Sequence, residues 1–341
     1  MIRLGVVGCG WVSESVHLPA LQRVSGIKVL AASDIRDERL QYFRRRFGIN
    51  RLYLNWHELV TEPGIDAVLV ATPADQHADI VHGVLEQRKH VLVEKPLSLT
   101  LAEAEKLAAD AKTRKVVAMV GFNYRFHPLV VRLREAIVRG DLGRPFKVFI
   151  TLTSMTAQRK SVTGYEAHPH LGGGVFYDKA VHALDILRFL FDCEVATAQA
   201  TCRSETHEHD FANLELEMEN GVHVSGLCAD QMLPDCMCLV LGDGGKAMIN
   251  LTRPTGLLLY RKTFACDRLA KFSSYTRQAV HIAGALAYFA TARGRLSSYL
   301  FEWEHFIHAV EGRVTPRPNF EDGVAVTRTL QALLESLPSS P

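Results

Sequence analysis

The sequence predicts an α/β chain: a doubly wound parallel sheet first, then an α+β part built on a largely antiparallel, open sheet. Three observations predict it. Over the first 120 residues, short apolar runs rich in valine alternate with helical patterns. After about residue 125 that rhythm stops, and strands follow one another with turns between them. The chain has 341 residues, too many for one typical core. The division expected is 1–123 for a dinucleotide-binding domain and 124–341 for a substrate-binding and oligomerisation domain.

The early strands read at 3–8, 28–34, 66–71, 90–94 and 116–121. They are continuous apolar runs, as parallel strands buried on both faces require. Between them Leu40, Phe43 and Phe47 keep helical spacing, and Gly48 follows as a stop. Ile80, Val81, Val84 and Leu85 form a second apolar stripe. Thr100-x-x-Glu103 is a capping box that opens a third helix. Later come a helix over 128–139, a strand over 146–154, a glycine-rich loop, a helix over 175–191 and strands up to about 262. Glu219-Asn220-Gly221 is a hairpin turn, and Gly242 to Gly245 is another. Helices return near 277–292, 300–311 and 321–337.

Lys plus Arg number 39 against 37 Asp plus Glu, a balance that argues against a nucleic-acid or membrane-surface protein. No segment reads as a membrane span or a signal peptide. The seven cysteines are irregularly spaced, which fits reduced thiols and a cytoplasmic protein. Cys236 and Cys238 would point to one strand face as core thiols. Cys202, His207 and His209 are a weak metal cluster without a fourth ligand, so no metal is expected.

The first strand runs into Gly8-x-Gly10-x-x-Ser13. Gly8 would make the tight turn, and Gly10 would let the backbone approach a pyrophosphate. Trp11 and Val12 begin a helix whose unpaired N–H groups face the same anion. Asp34 ends the second strand, where an acid bonds the ribose hydroxyls and repels a 2′-phosphate. That selects NAD over NADP, with Arg36 as the counterweight. Ligands of such sheets bind beyond the carboxyl ends of the strands. There stand Thr72, Pro73 and nearby His77, then Glu94, Lys95 and Pro96, then Asn123.

A second constellation lies in "LGGGVFYDKAVHALDILRFLF", residues 171–191. At roughly 100° per residue Asp178, His182 and Asp185 share one helix face, with Ala180, Leu184, Leu187 and Phe191 opposite. Phe189 falls on the polar side, so that side is expected to be covered. A histidine one turn from a carboxylate suits a general base; an incidental histidine on a polar face is the alternative.

The segments "GVVGCG", "ATPADQH", "HVLVEKPL", "GFNYRFHP", "GGGVFYDKAVHALD" and "NFEDG", in this order, resemble the Gfo/Idh/MocA family over nearly the whole chain. The resemblance implies an N-terminal Rossmann domain, a C-terminal open-sheet domain that forms homodimers or homotetramers, and a carbohydrate-like substrate. It makes Lys95, Asp178 and His182 the catalytic set, which also touches substrate, with Asn123 and Arg125 near nicotinamide and substrate. It also implies a cis bond before Pro96. Ser13 and Ala180 depart from the family pattern, Ala180 standing where many members have glycine.

The reading that results is hydride transfer between NAD and a secondary alcohol carbon of a sugar, inositol or nucleotide-sugar. His182 takes the proton, Lys95 stabilises the oxygen and Glu94 positions Lys95. Two rivals stand beside it: an NAD-retaining glycosidase, and a dinucleotide-binding sensor without catalysis.

Overall fold

In the computed structural model, residues 1–155, 168–253, 256–262 and 296–338 are described. The parallel strands are β1 (Ile2–Val7), β2 (Ile27–Ser33), β3 (Arg51–Tyr53), β4 (Ala67–Val70), β5 (His90–Glu94) and β6 (Ala118–Gly121). They lie in the order β3-β2-β1-β4-β5-β6, so the winding reverses between β1 and β4. That reversal opens a crevice at the carboxyl ends of β1 and β4. Every residue of β4 is buried, and so are Val91 to Glu94 of β5, as their uninterrupted apolar runs require.

The helices between these strands are α1 (Leu18–Leu21), α2 (Asp37–Phe47), α3 (Trp56–Thr61), α4 (His77–Glu86) and α5 (Leu101–Arg114). Helix α2 ends on Gly48 at φ +71°, a left-handed stop. Helix α5 begins where the Thr100 hydroxyl accepts the Glu103 N–H at 3.3 Å. The sequence reading omits β3 and α3. β3 is only three residues long, and α3 is capped by Asn55, which accepts from the His57 N–H at 3.0 Å.

The second sheet holds β7 (Pro145–Thr153), β8 (Val195–Arg203), β9 (Phe211–Met218), β10 (His223–Ala229), β11 (Asp235–Gly242), β12 (Gly245–Asn250) and β13 (Leu258–Arg261). Its order is β13-β12-β11-β7-β10-β9-β8, and every pairing is antiparallel except β7 with β10. Helices α6 (Pro128–Val138) and α7 (Val181–Phe191) pack against each other, α6 also meeting β12 and α7 meeting β7. Val148, Ile150, Leu152, Cys236, Cys238 and Val240 form one buried face of this sheet. On the other face the pairing sets Met248, Leu239 and Phe149 in one row. Two later helices are α8 (Ser297–Val310) and α9 (Phe320–Glu335). The helix expected near 277–292 lies outside the described residues.

The chain divides into two units. One holds residues 1–123, 170–172 and 298–328; the other holds the described parts of 124–169, 173–297 and 329–341.

Candidate functional site

In the first unit the glycine loop follows β1. Gly8 sits at φ +97°, and a Cβ there would run into the Ala71 carbonyl beyond β4. Only glycine brings the two segments that close. Ser13 occupies the third small position of the fingerprint. It is fully buried, and its hydroxyl donates to the Gly8 carbonyl at 2.6 Å, locking the turn to the helical run that starts at Trp11. That run contains a π turn over Ser13–His17.

Asp34 braces the same loop. One carboxylate oxygen accepts the Cys9 N–H at 2.9 Å, and the other accepts the backbone and side chain of Arg36 at 3.0 and 3.2 Å. Three features fit a dinucleotide here. Nothing lies within 4 Å of a Cβ built on Gly10, so the backbone is open to a ligand. Thr72 Oγ1 is buried without a hydrogen-bond partner among the described residues. Asp34 stands beyond β2, where ribose hydroxyls need an acceptor. Trp11 is 73% exposed and Val12 half-buried beside the loop. Pro73 precedes the short turn that leads into α4.

Lys95 leaves β5 immediately after Glu94, and the Lys95–Pro96 bond is cis. Glu94 turns back on the chain: its Oε2 accepts the Lys95 N–H at 3.1 Å. Gly121 gives that carboxylate room, because a Cβ there would stand 3.3 Å from its Cδ. His77, at the start of α4, is buried with Nδ1 2.7 Å from the Pro96 carbonyl and Nε2 3.0 Å from the Thr72 carbonyl. Burial holds its pKa below the usual histidine value although both carbonyls pull the other way. Asn123 is buried and donates to the Ser298 hydroxyl at 3.0 Å.

In the second unit Gly174, at φ +74°, sits against the Glu208 and His209 backbone, where a side chain would crowd. The chain then makes a π turn over Phe176–Ala180 before α7. The shared face for Asp178, His182 and Asp185 assumes α spacing from residue 178. The π turn widens the winding over the first part of that span and leaves Asp178 and His182 one turn apart. Asp178 is half exposed and pairs with Lys179 at 2.8 Å. Asp185 is buried and held by the Arg125 guanidinium, with Nε at 2.8 and 2.9 Å and Nη2 at 2.7 Å. Phe189 is covered, as its position on the polar side requires: Arg125 and Arg134 lie over its ring at 5.8 and 4.7 Å. The His182 ring lies 4.5 Å from that of Tyr124, whose hydroxyl burial pushes well above its ordinary value.

Lys179 was not legible as a site residue. It is buried between Asp178 and Asp230. Burial pulls its pKa down, but the two carboxylates together outweigh that and raise it. Asp230 also accepts from the Ser154 hydroxyl at 2.9 Å and meets His207 Nε2 at 3.3 Å. The weak metal cluster takes other partners. His207 faces Asp230, His209 packs edge-on to Phe176, and Cys202 Sγ lies 3.5 Å from the Arg203 carbonyl. Among the described residues no group of three side chains could hold a metal ion. Only Lys179, beside Asp178 in the sequence, carried a local signal. Asp230, Ser154 and His207 come from separate segments that only the sheet and its loops bring together.

A parallel sheet ordered in this way, with this glycine loop and this acid beyond β2, defines a dinucleotide-binding domain. Sequence comparison agrees. The NAD-binding Rossmann-fold model of the oxidoreductase family GFO_IDH_MocA matches residues 2–122, and the GFO/IDH/MocA C-terminal domain matches residues 130–248. The chain belongs to the GFO/IDH/MocA family and is an NAD-dependent oxidoreductase. A myo-inositol 2-dehydrogenase of Thermotoga maritima is 32% identical over 194 residues, 57% of this chain and 56% of the relative. The scyllo-inositol 2-dehydrogenase (NAD(+)) of Bacillus subtilis is 25% identical over 350 aligned positions, 97% of this chain and 94% of the relative. The crystal structure of a probable dehydrogenase from Thermotoga maritima superposes with a TM-score of 0.79 at 26% identity. It covers 98% of this chain and 96% of its own.

Proposed function

We propose that the protein oxidises or reduces a secondary alcohol carbon of an inositol or a related sugar. The observation that carries the reading is the placement of Lys95 directly beyond β5. β5 pairs with β4, and β4 borders the crevice where the glycine loop, Thr72 and Asp34 fit NAD. When bound, NAD supplies the hydride acceptor. Gly8, Gly10, Trp11, Val12, Asp34, Thr72 and Pro73 hold the dinucleotide. Asn123 is assigned to its nicotinamide end.

In this reading His182 takes the hydroxyl proton, and Lys95 offers its ammonium to the charge that the proton leaves behind. Asp178 and Lys179 form a fixed ion pair, and Asp178 binds a neighbouring hydroxyl. Arg125 acts through Asp185 to hold α7, the helix that carries His182. His77 holds the Pro96 carbonyl and thereby the Lys95 turn.

The partner proposed is a second copy of the chain, docked on the row Met248, Leu239 and Phe149. Phe149 is 39% exposed, and Lys147 with Glu215 supplies charge at the rim. The compartment proposed is the cytoplasm, because all six described cysteines are free thiols. No helix among the described residues is long and apolar enough to cross a membrane.

The test is NADH formation over a panel of inositols, sugars, sugar acids and nucleotide-sugars, with products measured in parallel. NADH formed in step with ketone supports the reading. Sugar release without NADH, or NAD binding without any turnover, overturns it.

A further inference from the structure

Behind Glu94, three residues far apart in sequence form one buried line. The Trp303 indole N–H donates to His17 Nδ1 at 3.1 Å, and His17 Nε2 lies 2.8 Å from Glu94 Oε1. Trp303 and His17 are fully buried, and the Glu94 side chain is 10% exposed. An indole nitrogen can only donate. His17 Nδ1 must therefore accept, its proton sits on Nε2, and Nε2 donates to Glu94. The direction of the line is fixed by Trp303. At its far end Glu94 Oε2 accepts the Lys95 N–H at 3.1 Å. The rings of Tyr299 and Trp303 stand edge-on to His17 at 5.1 and 5.7 Å, which leaves the imidazole little freedom to turn.

We infer that Trp303, His17 and Glu94 are positioning residues that set the place of Lys95. The inference rests on the catalytic role proposed for Lys95 but makes a separate claim about where its backbone is held. The line touches neither the glycine loop's open backbone at Gly10 nor Thr72 Oγ1, so it acts on the turn rather than on the dinucleotide. Removing its first donor frees His17 to change tautomer, and Glu94 then loses the donor that holds it against the Lys95 peptide. A displacement on the order of 1 Å at such a group is enough to cost about 100-fold in rate.

The experiment uses Trp303→Phe, His17→Leu and His17→Gln in the full chain. Histidine ¹⁵N shifts and the Lys95 amide resonance are read alongside kcat and NAD affinity. The expected result is a neutral His17 with its proton on Nε2, and a Lys95 amide that shifts in both Trp303→Phe and His17→Leu. Trp303→Phe should lower kcat about 10-fold and His17→Leu about 100-fold, with NAD dissociation constants within about 3-fold of the parent. His17→Gln keeps an N–H toward Glu94 and should recover most of the loss. An unmoved Lys95 amide in Trp303→Phe overturns the inference. So does a fall in NAD affinity that matches the fall in kcat. Lys95→Met separates the two claims. If its turnover equals the parent's, the catalytic role of Lys95 fails, while the amide shifts still decide whether the line holds the turn.

Discussion

Behind Lys95 in the first unit, the buried polar groups are an indole, an imidazole and one carboxylate joined end to end. Behind Asp178 and His182 in the second, they are formal charges: Lys179 with Asp178 and Asp230, and Arg125 with Asp185. Each array draws one member from a π turn, His17 from Ser13–His17 and Lys179 from Phe176–Ala180. The difference teaches how each is held. A line of hydrogen bonds loses about 1 kcal/mol per broken link, plus the cost of a stranded donor or acceptor. A buried charge left without its counterion costs several times more. The second unit should therefore be the more brittle under single substitutions, and the first the more tolerant.

The largest effect expected is on rate. His182→Ala removes the proposed base and should lower kcat by about 10²–10⁴, while NAD binding, proposed for the glycine loop, should stay intact. Single-turnover kinetics with a calorimetric NAD titration would check it, and unchanged turnover would take His182 out of the role.

Next comes the charge array itself. Arg125→Met removes the guanidinium bonded to Asp185, whose side chain is 1% exposed, and should cost about 3–5 kcal/mol of stability in denaturant unfolding. Adding Asp185→Leu should restore a large part, because the two together remove both charges of the pair. If the double variant is no more stable than the single, the pair is not what holds α7.

Much of this was legible beforehand, and the reasons are local. β1, β2, β4, β5 and β6 show as apolar runs because parallel strands bury both faces, and α2 and α5 carry their own stops and caps in Gly48 and Thr100. β3 escaped because three residues form no pattern. The Lys95 turn and the helix bearing His182 were found from glycines, a proline and adjacent charges. Trp303, His17, Lys179 and Asp230 were not assigned to a site. Their partners are set by tertiary approach, with Trp303 and His17 separated by 286 positions. The π turn over Phe176–Ala180 was not legible either, because a constant helical period cannot register one.

Histidines sharpen the comparison through pH. His127 caps α6, its Nδ1 accepting the Leu129 N–H at 3.2 Å, and burial lowers its pKa to about 4. The unfolded chain therefore takes up a proton below about 6.5 that the native state refuses until about 4. Stability is full above the higher value and falls as pH drops through that window, by roughly 3 kcal/mol in total. His127→Asn keeps a capping oxygen and removes the titration. Its stability should match the parent within about 1 kcal/mol at pH 7 and decline less steeply below pH 6.5. An unchanged slope would assign the acid loss to other buried histidines, such as His77 in the first unit, whose pKa burial also lowers.

The smallest effect tests the matching cap in the first unit. Among the described residues the Thr100 hydroxyl meets only the Glu103 N–H, at 3.3 Å, and the first turn of α5 is open to water. Thr100→Ala should cost about 1 kcal/mol at every pH, because no titrating group takes part. The two caps then differ in kind. One contributes the same increment throughout, and the other contributes only while its imidazole stays neutral. Urea unfolding of Thr100→Ala at pH 7 and pH 5 decides the point: equal losses at both values fit a hydroxyl cap. A loss that shrinks with acid would mean that a group beside Thr100 titrates, and the first unit would then share the second unit's dependence on charge.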